Sequence, residues 1–439
     1  MIKDTAVSCI IPIYNAEPYL NEFFDSLMNQ TFQNFEIICV DDASTDLSMS
    51  IISDYQKQRD IVLIENKTRS GAACSRNKGL EAASGDYVIF LDCDDILHPE
   101  MLGRMYECCK KNDADIGICY LECFVDNKRI PIAHMEKNRK MIPGYPVLEN
   151  PACLETIFQI IMHSPCDKMV RRKLLLQNDI TFQDLPCTND LFYSYSSVLC
   201  SCKLVFIDKV LYFIRYKREE SITTTWFRKK DFICEALDAV FDFALGKGIY
   251  ELVKKSFIDK AIKDIYNGLE RFSEVYLDET VNKLKTVYLE KWGIMKWYNE
   301  GRLSMIQMKI IDNILHSRKM ASYCSILLSC SDEEIIKLIS DYKNNGIKIV
   351  WWGAGKMGAE FLTYFNELGL SIDYVIDSDV SKHGKEIAGY SILGWESVIK
   401  ENCVIWITDD LWFDDINTAT DGFGEIINIF SYLEQRVGE

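Results

Sequence analysis

Residues 7–42 read VSCIIPIYNAEPYLNEFFDSLMNQTFQNFEIICVDD, and this stretch decides the fold class. A short apolar run is followed by a turn, by a segment with apolar residues at helical spacing, and by a second apolar run. The same alternation continues through IVLIEN at 61–66 and DYVIFLD at 86–92. Strands and helices that alternate in this way predict an α/β fold with a mostly parallel sheet between helices. Ligands of such sheets bind beyond the carboxyl ends of the strands.

Polar and acidic residues stand at those predicted strand ends. Pro12 and Tyr14 follow the first strand, Asp42 follows the second, and Asp92-Cys93-Asp94-Asp95 follows a later one. Helix capping or turn formation explains one such carboxylate. Three carboxylates within four residues of a buried strand repel one another, unless a cation or N–H donors lie among them. The pattern therefore predicts a ligand-binding edge that contains a cation.

Composition limits the partners of the chain. Its 439 residues are 48% hydrophobic and 26% charged, which predicts a globular chain of two or three domains. The chain has 49 basic and 66 acidic residues, and its net charge of −17 does not attract the phosphates of nucleic acids. We therefore expect no nucleic acid partner. No apolar run is long enough to span a bilayer and no signal peptide pattern follows Met1, so we expect a cytoplasmic protein.

Six blocks in order resemble the family 2 glycosyltransferases, which have the GT-A fold. They are VSCIIPIYNAEPYL at 7–20, QTFQNFEIICVDDASTD at 30–46, SGAACSRNKGL at 70–80, SGDYVIFLDCDD at 84–95, TNDLFYSYSS at 188–197 and LYFIRYKREESIT at 211–223. The resemblance covers about the first 225 residues. It implies transfer of a sugar from a nucleotide diphosphate sugar, UDP foremost, to a glycan, glycoprotein or lipid-linked acceptor, as in bacterial surface polysaccharide or glycoprotein glycan synthesis.

The resemblance also implies roles for the acidic block and the residues near it. Asp94 is similar to the family's ligand of a divalent metal, Mn²⁺ or Mg²⁺, and hard oxygen ligands suit either ion. Asp92 is similar to the residue that contacts the ribose or supports the metal. Asp42 would accept the imide N–H of uracil, and Pro12 and Tyr14 would line the same nucleotide pocket.

Arg76 and Asp190 complete the implied site. Arg76 resembles the family's arginine near the nucleotide, and its guanidinium would offset part of the carboxylate charge. Asp190 resembles the catalytic base that takes the proton of the acceptor hydroxyl, although Asn189 stands where the family commonly has glutamate. As an alternative, Asp190 is an ordinary carboxylate at a helix amino terminus, and Asp184 is then the reserve candidate for the base.

Lys168 and Arg215 match positions where the family commonly carries basic residues. Both would contact diphosphate or acceptor, or else form surface salt bridges.

The positions of the prolines and the periodicity of apolar residues divide the chain into three regions. All nine prolines lie between Pro12 and Pro186, and residues 226–345 read as helices with a buried stripe that includes Leu252, Phe257 and Ile265. We therefore predict a GT-A domain at 1–225, a helical region at 226–345 and a small Rossmann-like α/β domain at 346–439. Aromatic and basic residues at 226–230 suit either a peripheral contact with the inner face of a membrane or ordinary packing.

The last region contains the pattern Gly353-Ala354-Gly355-Lys356-Met357-Gly358 between a strand and a helix, and Asp377 ends the next strand. This context is that of a dinucleotide fingerprint, so an NAD-dependent sugar-modifying oxidoreductase is one alternative function. However, the region has 6 basic and 16 acidic residues, a net charge of −10, which disfavours an anionic dinucleotide. We expect an accessory module for self-association or for docking to an enzyme of the same pathway.

A non-catalytic protein that binds a sugar nucleotide, or a scaffold, is the remaining alternative. The presence of both Asp94 and Asp190 argues against it.

Overall fold

The computed structural model describes residues 5–125, 128–131, 142, 144–151, 155–215, 232–269, 274–316, 332–394, 402–407 and 425–428. The chain divides into two compact units, Met1–Trp292 and Gly293–Glu439. The boundaries predicted after residues 225 and 345 stay predictions.

The first unit contains a ten-stranded sheet. Its strands are β1 Val7–Ile13, β2 Phe35–Asp41, β3 Ile61–Glu65, β4 Tyr87–Phe90, β5 Ile96–Leu97, β6 Ile116–Val125, β7 Lys128–Pro131, β8 Val147–Glu149, β9 Lys168–Arg171 and β10 Lys203–Arg215. The order along the sheet is β3-β2-β1-β4-β9-β6-β10-β5, with β7 paired to β6 and β8 paired to β10. Strands β3, β2, β1 and β4 are parallel, whereas β9 runs antiparallel to both of its neighbours.

Helices cover this sheet. They span Glu17–Met28, Ser48–Gln56, Ala72–Ala82, Met101–Asn112, Ile157–Ile160, Arg172–Gln177 and Asp190–Cys200. The first of them buries Leu20, Phe23, Phe24 and Leu27, whose spacing of three and four residues aligns them on one face. The third lies so close to the sheet that a Cβ atom at Gly79 would stand 2.3 Å from Cγ2 of Ile10.

The described residues between 232 and 345 are mainly helical, as predicted. Up to Trp292 the helices span Ile233–Gly246, Tyr250–Leu269, Glu274–Lys283 and Leu289–Lys291, with a π-helical turn at Leu284–Tyr288. The stripe around Phe257 and Ile265 is buried, but the prediction for Leu252 was wrong, since its side chain is 55% exposed. Leu252 lies in the first turn of its helix, where Val253 occupies the buried face instead.

The second unit contains a six-stranded sheet in the order β13-β14-β12-β11-β15-β16. Its strands are β11 Lys348–Trp352, β12 Tyr374–Ile376, β13 Glu386–Ile387, β14 Tyr390–Leu393, β15 Cys403–Ile407 and β16 Glu425–Asn428. Its helices are Ile294–Asn299, Met305–His316, Asp332–Asn344 and Lys356–Glu367, with a 3₁₀ turn at Val380–Lys382. All pairs except β13 with β14 are parallel, which is the doubly wound arrangement of a Rossmann-like domain.

The predicted α/β fold class is thus confirmed. Within the part of the chain that the structure describes, no helix combines the length and apolar character that crossing a membrane requires.

Candidate functional site

The carboxyl ends of β1, β2 and β4 form one edge of the first sheet. Pro12 pairs with Val40 and Ile13 with Asp41, so the residues that follow β1 and β2 leave the sheet side by side. The backbone N–H of Asp42 donates to the carbonyl of Ile13 at 2.8 Å. Because parallel strands end together, the structure gathers Pro12, Tyr14 and Asp42 at this edge, as the sequence predicted.

Asp42 is buried and holds the loop that follows β3. Its Oδ1 accepts the side-chain N–H of Asn66 and the backbone N–H of Ser70, both at 2.7 Å. Its Oδ2 accepts the backbone N–H of Gly71 at 2.7 Å. A carboxylate has about four lone-pair positions, so Oδ2 keeps room for one further N–H donor. A role for Asp42 in reading a base is compatible with this geometry, but its structural role is larger than the sequence indicated.

Tyr14 and Arg69 form a pair beside Asp42. Tyr14 is 38% exposed, and the guanidinium of Arg69 lies 4.0 Å from the centre of its ring. Sequence reasoning missed both Asn66 and Arg69. The available signal was that Asn66 directly follows β3, which ends at the same edge.

Arg76 links two distant parts of the chain. Its Nη2 donates to Oδ1 of Asp92 at 2.8 Å, and its Nη1 donates to Oδ1 of Asn189 at 3.1 Å. Burial alone would lower the pKa of Arg76, but the charge and hydrogen bond of Asp92, together with the charge of Asp190, raise it above the ordinary value. The amide of Asn189 thus lies next to Arg76, and the negative charge around the guanidinium comes from Asp92 and Asp190.

The three aspartates after β4 are tightly clustered. Asp94 is 8% and Asp95 is 4% exposed. Burial, reinforced by the charges of Asp94 and Asp92, raises the pKa of Asp95 well above its ordinary value. The hydroxyl of Tyr212 accepts the backbone N–H of Asp92 at 3.0 Å. Hydrogen bonding by Tyr212 and by the backbone N–H of Arg215 offsets only part of the rise in the pKa of Asp95. The mutual repulsion of these carboxylates favours a cation at this position.

The aspartates after β4 suit a divalent ion if a bound diphosphate supplies further ligands. Among the described residues, no group of three or more His, Cys, Asp and Glu side chains is arranged to hold an ion by itself. Mg²⁺ in phosphate sites commonly takes one or two protein carboxylates and completes its shell with substrate phosphates and water. Asp94, with Asp92 and Asp95 close by, suits such an ion when a diphosphate is bound.

Asp190 is the first residue of the helix Asp190–Cys200 and is partly exposed. Its charge acts on Arg76, which also binds Asp92. The structure therefore brings Asp190 to the same site as the acidic block, although they are about a hundred residues apart in sequence. Asp184 is exposed.

For Lys168 and Arg215 the sequence predicts contact with diphosphate or acceptor, or else a surface salt bridge. The structure shows a salt bridge for Arg215, with the exposed Glu22, whereas Lys168 forms a buried ion pair. The ammonium of Lys168 is fully buried and bonds to Asp167 at 2.6 Å. The guanidinium of Arg215 donates to the carbonyl of Asp94 at 2.9 Å and binds Glu22 at 2.5 Å. Both side chains therefore hold together parts of the protein next to the edge where β1, β2 and β4 end.

The glycine-rich turn of the second unit is held by its own acidic residue. Gly353 has a φ of +113°, and a Cβ atom at Gly358 would stand 2.0 Å from the carbonyl oxygen of Gly353. Oδ2 of Asp377 accepts the backbone N–H of Ala354 at 2.7 Å and binds Lys382 at 2.8 Å. Asp377, the residue that a dinucleotide fingerprint assigns to the ribose, is thus engaged by the turn itself.

Part of the first unit is similar to known proteins. The family described as "Glycosyl transferase family 2" matches residues 8–176. The poly(ribitol-phosphate) beta-glucosyltransferase of Bacillus spizizenii is 30% identical over 218 residues, which are 48% of this chain and 32% of that protein. The cholesterol galactosyltransferase of Borreliella burgdorferi is 29% identical over 298 residues, 66% of this chain and 77% of that protein.

The chain is also similar to solved structures. The crystal structure of S. aureus TarS 1-349 in complex with UDP-GlcNAc aligns at 18% identity and a TM-score of 0.47, covering 83% of this chain and 93% of that one. This chain spans about a third of the length of the first curated relatives that it matches. With the match over residues 8–176, the chain carries a family 2 glycosyltransferase domain.

Proposed function

We propose that this chain transfers a sugar, with inversion, from a nucleoside diphosphate sugar to a hydroxyl group of an acceptor. One observation carries the proposal. Arg76 connects Asp92 of the acidic block to Asn189, which directly precedes Asp190. This connection supports the proposal, because it joins the aspartates that would bind the metal and the diphosphate to the helix that begins with the proposed base.

Donor binding would use the edge formed by β1 and β2. The remaining acceptor position on Asp42 suits the imide N–H of uracil, and the ring of Tyr14, with Pro12 next to it, suits a base or ribose face. Asp92 would accept from the ribose or support the metal, and Arg76 would balance negative charge near the nucleotide. We infer a UDP-hexose as donor because the relatives' names specify glucosyl and galactosyl transfer.

Asp94 would hold Mn²⁺ or Mg²⁺ together with the diphosphate. When bound, the ion would stabilise the charge that develops on the departing nucleoside diphosphate. Asp92 and Asp95 would keep the ion at this position through their negative charge, while Arg215 fixes the backbone of Asp94.

Asp190 would remove the proton of the acceptor hydroxyl as that oxygen attacks the anomeric carbon. No second side chain is assigned as a nucleophile, so direct displacement inverts the anomeric centre, and an α-configured donor gives a β-linked product. NMR of the anomeric coupling in the product measures this outcome.

We further propose that the acceptor is a glycan, a glycoprotein or a lipid-linked sugar. A cytoplasmic enzyme at the inner face of the membrane would meet such acceptors. In this proposal the second unit is an accessory module for self-association or for binding another enzyme of the pathway.

A donor screen tests the proposed function. Purified protein is incubated with Mn²⁺ and, in turn, UDP-glucose, UDP-galactose, UDP-N-acetylglucosamine and GDP-mannose, and release of nucleoside diphosphate is measured with and without poly(ribitol phosphate) or cholesterol. We expect release from one UDP-sugar and none in EDTA. Absence of both turnover and UDP binding would refute the proposal.

A further inference from the structure

The segment 161–166 lies at the same edge as the acidic block. Strand β9 pairs antiparallel with β4, with Ile89 opposite Met169, so the residues before Lys168 run beside the residues that follow Phe90. Cys166 feels the charges of Asp92, Asp95 and Arg76. The segment therefore lies close enough to the candidate site for the charges of the site to act on it.

Lys168 fixes the shape of this segment. Its ammonium donates to the carbonyls of Met162 and Ser164 at 2.6 and 2.7 Å, and pairs with Asp167. The side chains of Lys168 and Asp167 are both 0% exposed. A buried ion pair gains little net stability because both charges lose their hydration. The pair is better explained by the geometry that it imposes on residues 162–164.

The same segment supports the helix that begins at Asp190. The hydroxyl of Ser194 donates to the carbonyl of His163 at 2.6 Å, and that of Tyr195 donates to the carbonyl of Ile161 at 3.3 Å. Ser194 is four residues after Asp190, so the two side chains project from the same face of the helix, one turn apart.

We propose that the segment 161–166 braces the helix Asp190–Cys200, with Lys168 and Ser194 as positioning residues that hold Asp190 at its distance from Asp92 and Asp94. This inference rests on the proposed function, because the position of Asp190 affects the rate only if Asp190 is the base. It gives Lys168 and Ser194 a role in positioning the helix, which the sequence pattern did not indicate for either residue.

The test compares two buried serines of one helix. Ser194→Ala removes the bond to His163, whereas the matched control Ser197→Ala removes only a bond to the carbonyl of Tyr193 within the helix. The readouts are UDP release from the UDP-sugar that the donor screen selects among UDP-glucose, UDP-galactose and UDP-N-acetylglucosamine, and UDP affinity in Mn²⁺ by calorimetry. We expect Ser194→Ala to lower the release rate between about 10- and 100-fold, the cost of a small misplacement of a reacting group, with unchanged UDP affinity. Ser197→Ala should leave both values unchanged.

A second pair of measurements separates positioning from general damage. Asp190→Asn alone should lose most of the rate, and adding Ser194→Ala should cause no further loss, since Ser194 acts through Asp190. The double variant Asp167→Asn with Lys168→Met removes both buried charges, so we expect it to fold and to bind UDP. It also removes the ammonium that donates to the carbonyls of Met162 and Ser164. We therefore expect the rate of UDP release to fall as it does in the Ser194→Ala variant.

The outcomes are distinguishable. The proposed bracing role is wrong if the Ser194→Ala variant releases UDP at the wild-type rate. It is also wrong if Ser194→Ala lowers the rate by the same factor in the Asp190→Asn background as in the wild type. Either result leaves Asp190 as the base. If Asp190→Asn keeps the full rate, the proposed base is wrong and the brace with it. If the Asp167–Lys168 double variant does not fold, the Ser194 and Ser197 pair decides alone.

Discussion

At the scale of single residues, the candidate site is a balance of charges. Asp92, Asp94 and Asp95 repel one another, and Arg76 and the N–H groups around them offset only part of that repulsion. Asp95 differs from the other two, because the backbone N–H of Arg215 donates to it at 2.8 Å and it is almost fully buried. Each carboxylate should therefore respond differently to substitution.

Asp94→Ala should abolish turnover without harming the fold. Loss of the carboxylate proposed to hold the metal should lower UDP release by more than about 100-fold and weaken UDP binding in Mn²⁺, while relief of repulsion keeps the thermal stability at or above that of the wild type. Release assays and melting curves measure both effects. Asp60→Ala, at an exposed carboxylate before β3, is the control. Full activity of the wild type in EDTA would contradict the metal role.

Asp95→Asn should change the pH dependence of stability in the metal-free protein. The pKa of Asp95 is raised in the folded state, so the folded chain binds this proton more tightly than the unfolded chain, and stability falls as pH rises above about 4. Asparagine retains an oxygen for the N–H of Arg215 but carries no charge. The variant should therefore melt at a higher temperature than the wild type at pH 7, and the difference should shrink towards pH 4. A constant difference across this range would argue against the raised pKa.

At the scale of elements, close packing of helices on strand ends shapes both units. In the second unit the glycine-rich turn has three glycines with different requirements. Gly353 has a left-handed φ, Gly358 allows the helix to approach the turn, and a Cβ atom at Gly355 would meet no heavy atom within 4 Å. Packing and backbone conformation therefore explain the glycines at 353 and 358, but not the glycine at 355.

Substitutions at two of these glycines separate the requirements. Gly358→Ala places a methyl group against the carbonyl of Gly353, so we expect it to destabilise the second unit by about 1–3 kcal/mol. Gly355→Ala, the matched control, should leave stability nearly unchanged because the space is open. Limited proteolysis and thermal melting of the full chain measure the difference. Equal stability of the two variants would mean that the helix can shift away from the turn at little cost.

At the scale of the whole molecule, the two units have separate cores. The first ends at Trp292, whose indole is fully buried, stacks edge-on with Phe257 at 5.7 Å between ring centres and donates to Asp238 at 2.9 Å. Helices well beyond the predicted GT-A boundary at 225 thus belong to the same compact unit as the glycosyltransferase domain.

Shortening the chain tests this division. Residues 1–300 keep Trp292 and should bind UDP in Mn²⁺ as tightly as the full chain, since every candidate site residue lies in the first unit. Residues 1–285 lack Trp292 and should unfold at a markedly lower temperature, because an aromatic side chain of this size contributes about 3–5 kcal/mol to a core. Calorimetry and melting curves give both answers. Loss of UDP binding by a folded 1–300 chain would show that the second unit contributes to the site.

Local patterns in the sequence by themselves determined the α/β class, the helical character of the middle region and the edge at which the site lies. Periodicity and strand-end residues are local properties, and parallel strands necessarily bring their carboxyl ends together. For this reason the sequence alone places Pro12, Tyr14, Asp42 and the aspartates after β4 at one edge of the sheet.

Only the tertiary structure decided which partners these residues have. The bonds from Arg76 to Asp92 and Asn189, from Lys168 to the segment at 162–164, and from Asp377 to its own turn join groups whose orientation depends on packing. Lys168 illustrates the reason: sequence favours a charged lysine at the surface, but a buried aspartate and two carbonyls satisfy its ammonium in the interior. Such pairings depend on where distant segments meet, which no local pattern encodes.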